Sequence, residues 1–162
     1  MAKKIVVSFP GGRSGAEIPL LYFGAKYFED LGYEKVFINH SNSNKNSFEV
    51  LFNNAEKLIQ AIDFSEYEDI VFIAKSIGTI IACKIKEIYK IPATLILFTP
   101  LEGTLPYINC ENDVRLVAIG DKDRYLDSAL LSDLCKRENI SCYVEQNVGH
   151  RMEVMGDLER NL

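Results

Sequence analysis

Few residues in this chain pair a reactive side chain with a setting that would expose it, and Ser76 is the first of them. It lies between a continuous apolar run, Ile70-Val71-Phe72-Ile73, and a stretch from Ile77 to Tyr89 in which Ile77, Ile80, Ile81, Ile85 and Ile88 fall near helical spacing. The first run predicts a strand buried on both faces, and the second a helix. Ala74 and Gly78 flank Ser76 two residues away on each side. A sharp strand-to-helix turn crowds those two positions, so small residues there meet the steric requirement of a nucleophile elbow. A serine held in that way projects its hydroxyl above the sheet edge; the plainer alternative is a serine that caps the helix. A serine hydroxyl is a weak nucleophile at neutral pH and needs a base to take its proton. Histidine suits that task best. The chain has two, His40 and His150, each following a predicted strand.

The elements that must position these residues alternate along the chain. Predicted strands cover Lys4–Phe9, Lys35–Asn39, Ile70–Ile73, Thr94–Thr99, Val114–Ile119 and Ile140–Glu145. Predicted helices cover Ala16–Leu31, with Pro19 marking the true start and Gly32 the stop, then Phe48–Ile62, Ile77–Tyr89, Tyr125–Glu138 and Met152–Leu162. Ser47 is placed to cap the second helix, whose apolar residues at 48, 51, 52, 55, 58, 59 and 62 form one stripe. Residues 101 to 112 read as loop. Such alternation argues an α/β fold: a three-layer sandwich of a six-stranded, mostly parallel sheet with helices on both faces. One domain spanning 1–162 is expected.

Composition narrows the function classes. Net charge is −5, from 18 basic and 23 acidic residues, so nothing favours nucleic acid or an anionic membrane as partner. No apolar run approaches a membrane span. The apolar stretch near the N-terminus, Ile5-Val6-Val7-Ser8-Phe9, is too short for a signal-peptide core. The four cysteines form no C-x-x-C pair and have no histidine at metal spacing. A reduced, cytoplasmic protein without structural zinc is expected.

Ala74-Lys75-Ser76-Ile77-Gly78 resembles the G-x-S-x-G elbow of the α/β-hydrolases, with alanine for the first glycine. The element count resembles the second half of that family's sheet, its two leading strands absent. The resemblance implies a chain order of serine, acid, histidine at successive strand ends. Ser76 follows the third strand, Gly120-Asp121-Lys122-Asp123 the fifth, and Val148-Gly149-His150 the sixth. The family sets its acid three residues after a strand-end glycine, which selects Asp123, with Asp121 as the fallback; both are also ordinary turn residues. It often sets its histidine after a glycine, as His150 is here. His40 falls where the family keeps no triad member and is read as a loop residue, with a place on the pocket wall as the alternative. The family's rule assigns one oxyanion donor to the backbone N–H of Ile77. The second belongs to Pro10-Gly11-Gly12-Arg13, which resembles an H-G-G-G segment with proline leading, and Gly12 and Arg13 both remain open. If the family's strand order holds, the first and third strands are neighbours and their loops flank one crevice.

The resemblance implies a lidless serine hydrolase of a small acyl ester or thioester, needing no metal or organic cofactor. The same triad serves peptide bonds. The rival reading is a hydrolase fold that has become a catalytically inactive binding module. The interval after the fourth strand is too short for a cap domain. It supplies Leu101, Leu105 and Tyr107 as apolar walls, while Arg13 and Arg151 stand ready for an anionic group or for surface salt bridges. Nucleotide motifs fail: a G-x-G-x-x-G would need glycine at position 10, which is Pro10, and a P-loop would need it at Asp69 and Ala74. Lys75 is expected to point toward solvent.

Overall fold

The computed structural model describes residues 2–12, 19–40 and 47–153. Six strands, β1 (Lys3–Phe9), β2 (Glu34–Phe37), β3 (Tyr67–Lys75), β4 (Thr94–Phe98), β5 (Val114–Gly120) and β6 (Ser141–Glu145), form one sheet in the order β2-β1-β3-β4-β5-β6. Every neighbouring pair is parallel, so the expected mostly parallel sheet is parallel throughout. The carboxyl ends of β1, β3, β5 and β6 therefore share one edge. The order reverses between β1 and β3, the point where open α/β sheets open a crevice.

Four helices connect the strands: α1 (Pro19–Asp30), α2 (Phe48–Gln60), α3 (Ile77–Tyr89) and α4 (Ser128–Arg137). Alternation along β1 and β3 sends successive residues to opposite faces. Ile5, Val7 and Phe72 join Leu51 and Ile59 of α2, Ile81 and Ile85 of α3 and Leu131 of α4 in one apolar layer. Val6, Val71 and Ile73 meet Leu21 of α1 in the other. This is what right-handed crossovers require when the chain first steps from β1 to β2 and then returns across the sheet.

Local chemistry explains where the helices begin. Ser47 caps α2 as expected, its hydroxyl accepting from the Val50 N–H at 3.3 Å. The described part of α1 runs from Pro19 to Asp30. α4 begins three residues later than its apolar pattern predicts. The Tyr125 N–H is taken by Asp123 Oδ1 at 2.8 Å, and Asp127 caps Ala129 and Leu130 instead. The stretch between β4 and β5, expected as loop, contains 3₁₀ turns at Glu102–Tyr107 and Cys110–Asn112. The expected helix Met152–Leu162 lies almost wholly outside the described residues. Among the described residues, no helix is long and apolar enough to cross a membrane.

Candidate active site

The turn from β3 into α3 is a strained one. Ser76 has φ 55° and ψ −126°, in the positive-φ region that side chains rarely adopt. The surroundings hold it there. Its N–H donates to the Phe98 carbonyl of β4 at 3.1 Å, and its own carbonyl accepts from the Thr79 N–H at 2.9 Å and the Thr79 hydroxyl at 2.6 Å. Gly78 faces the end of β1 so closely that a Cβ would lie 2.4 Å from the Phe9 carbonyl oxygen and 2.5 Å from that of Pro10. The glycine of S-x-G is therefore a packing requirement. The capping alternative does not hold, because the Ser76 side chain makes no capping bond.

The Ser76 hydroxyl instead meets a histidine. Ser76 Oγ lies 2.8 Å from His150 Nε2, and His150 Nδ1 lies 2.7 Å from Asp123 Oδ2. Asp123, and not Asp121, reaches the imidazole. The Asp123 side chain is fully buried. Burial alone would raise its carboxyl, but the His150 ring and the backbone N–H groups of Tyr125 and Leu126 outweigh it, leaving the pKa below the ordinary 3.8. Asp121 acts on the same loop indirectly, its Oδ1 accepting from the Val148 N–H at 3.3 Å. Gly120 lets that loop approach: a Cβ there would sit 2.0 Å from the Val148 carbonyl oxygen. The Lys122 N–H also donates to that oxygen at 2.9 Å. The fifth and sixth strand ends are thus stitched together before the chain reaches His150.

Ile77 is the first residue of α3, so its N–H is one of the donors that a helix N-terminus leaves without an intrahelical acceptor. Gly12 stands beside it, a Cβ on Gly12 falling 3.6 Å from Ile77 Cγ2. Arg13, the other candidate donor, lies outside the described residues. Leu101 is half-buried and opens the 3₁₀ turn whose Thr104 hydroxyl lies 2.7 Å from Thr79 Oγ1, close to the elbow. Arg151 is exposed beside the histidine. Tyr107 is a correction. Expected as a wall of the site, it packs on the core beside Glu87 and Cys83, about two to three turns along α3 from Ser76. The 3₁₀ turn runs back along α3 and carries Tyr107 away. His40 is partly buried next to Pro10, its ring nitrogens without a hydrogen bond among the described residues.

Two residues at the site were missed. The Tyr125 ring packs edge-on against the His150 ring, centroids 4.5 Å apart, and covers the imidazole. Its position two residues after a candidate acid was the available signal. Lys75, expected to face solvent, is only 7% exposed, and its Nζ donates to the His150 carbonyl at 3.2 Å. Burial lowers its pKa from the ordinary 10.5, with Asp123 and Glu153 opposing and Arg151 adding to the fall. An open cleft of about 460 Å³ borders the acid loop, lined among others by Glu102, Asp121, Asp123, Arg124 and Tyr125. Among the described residues, no group of three or more His, Cys, Asp or Glu side chains could hold a metal ion.

No family model matches the sequence, and no curated protein matches it. Solved structures do resemble it in shape. An alpha-beta serine hydrolase homologue from Coxiella burnetii superimposes with a TM-score of 0.70 at 16% identity, over 93% of this chain and 77% of that one. Est1E from Butyrivibrio proteoclasticus gives 0.70 at 10% identity, over 94% and 81%. The ydeN gene product of B. subtilis gives 0.68 at 17% identity, over 93% and 89%. At such identities the likeness is one of architecture, and with its parallel sheet, its strand order and its β3–α3 elbow this chain has the α/β-hydrolase fold.

Proposed function

We propose that the protein is a serine hydrolase acting on a small acyl ester or thioester through Ser76, His150 and Asp123. The observation that carries this reading is the unbroken hydrogen-bonded path from Ser76 Oγ through both ring nitrogens of His150 to a buried carboxylate, at 2.8 and 2.7 Å. Ser76 Oγ attacks the acyl carbon as its proton passes to His150 Nε2, and the carbonyl electron pair moves onto oxygen. The N–H of Ile77 and a donor from the Gly12 loop face that oxyanion. Collapse re-forms the carbonyl and breaks the bond to the leaving oxygen or sulfur, which takes the Nε2 proton. Water then attacks the acyl-serine, giving its proton to the same nitrogen, and Ser76 is released with the proton returned. Asp123 keeps the ring in the tautomer that accepts at Nε2 and stabilises the imidazolium.

The short β4–β5 connection, with no cap domain, supports a small and accessible substrate. Est1E has also been solved with ferulic acid bound, which adds feruloyl esters to a first panel. Four unpaired thiols support a cytoplasmic setting. The test is labelling with a fluorophosphonate, read by intact mass and peptide mapping, beside His150→Ala. One adduct on Ser76, lost in the variant, is expected. A folded protein that takes up no label would refute the hydrolase reading and leave the fold as a binding module.

A further inference from the structure

Lys75 is hard to explain as a structural lysine. It occupies the position just before the nucleophile, on the last residue of β3, and is nearly as buried as the apolar core. A lysine is rarely buried unless its ammonium is paired. Among the described residues Lys75 makes no ion pair, and its Nζ donates to the main-chain carbonyl of His150. The nearest element that could neutralise it, the β5–α4 loop, offers Asp123, whose carboxylate is already committed to His150 and to two backbone N–H groups. The charged groups around it are Asp123 from that loop, and Arg151 and Glu153 from the chain after β6. Around the His150 ring stand Asp123, Ser76 and Tyr125.

Lys75 is the last residue of the strand that carries the elbow, and its Nζ reaches the main-chain carbonyl of the residue whose ring meets Ser76 Oγ at 2.8 Å. It ties the histidine's own backbone to the elbow that carries the serine, so base and nucleophile keep their separation. Resting on the hydrolase reading, we propose that Lys75 is a positioning residue for the base: its ammonium fixes the main chain of His150 over the elbow.

The chain has two histidines, so their ring C–H signals can be followed by NMR and assigned with His40→Leu. Wild type, Lys75→Met and Lys75→Arg are compared at one neutral pH, and Lys75→Gln replaces the methionine variant if that one does not fold. In Lys75→Met the fluorophosphonate labelling rate on Ser76 falls by about tenfold or more and the His150 ring signals shift, while those of His40 stay. Lys75→Arg, which keeps a donor for the His150 carbonyl, recovers most of the rate. Unmoved His150 signals with an unchanged labelling rate in folded Lys75→Met, or an arginine variant that recovers nothing, overturns the proposal. A wild type that takes no label while its His150 signals still respond to Lys75 would end the hydrolase reading and keep the positioning.

Discussion

His150 and His40 each follow a strand at the carboxyl edge of the same sheet, but the two ends of that edge treat an imidazole differently. His150 comes off β6, beside β5, whose loop delivers Asp123 to one ring nitrogen while Ser76 meets the other. His40 comes after β2, on the opposite edge beside β1, and neither of its nitrogens has a hydrogen bond among the described residues. A place at the carboxyl edge is thus not enough to make a base. The neighbouring strand must also present a carboxylate at the right height, and the reversal of strand order must bring a nucleophile to the other side. Among the described residues, only the β3–β4–β5–β6 half of the sheet does both.

The sharpest way to break this contrast is to remove each ring in turn. His150→Ala should lower fluorophosphonate labelling and ester turnover by about 10⁴-fold or more. His40→Leu should leave both within about threefold, since its ring touches no reacting group. Equal losses would mean that the β2 edge belongs to the site. The two aspartates of the β5 loop sharpen the same contrast at smaller scale. Asp123→Asn should cost about 10²–10⁴ in turnover, because an amide cannot hold the tautomer that leaves Nε2 free to accept. Asp121→Asn loosens the Val148 anchor and removes an exposed ion pair with Lys122, and should cost about tenfold or less. A larger loss from Asp121 would exchange their roles.

Glycines made much of this site legible in the sequence. Gly78 and Gly120 are demanded by backbone oxygens 2.4 and 2.0 Å from where a Cβ would be, so the close approaches that build the elbow and seat the histidine loop left a mark in residue type. The sheet was legible because β1, β3, β4 and β5 are apolar runs punctuated by Gly and Pro. Lys75 was not, since a charge normally reads as solvent, and its partner is a main-chain carbonyl that any residue would supply. Tyr107 was misplaced because a 3₁₀ turn has no periodic pattern to show which way it runs. The late start of α4 depended on which backbone N–H Asp123 would capture, a choice settled by tertiary contacts with His150.

The smallest effect separates the histidines by stability. Burial lowers the His40 pKa below its ordinary 6.5, and the nearby Pro10 backbone offsets only part of that. A base whose folded pKa is depressed binds fewer protons folded than unfolded, so it weakens the fold as pH falls below the unfolded value. The loss grows from pH 6.5 downward until the folded ring itself protonates. His40→Leu removes this term. Between pH 7.5 and 5.5 the urea midpoint of the wild type should therefore fall by about 0.1–0.3 M more than that of the variant. Parallel midpoints would mean that the His40 ring is as well solvated folded as unfolded, and that the two edges of the sheet differ in catalytic partners alone.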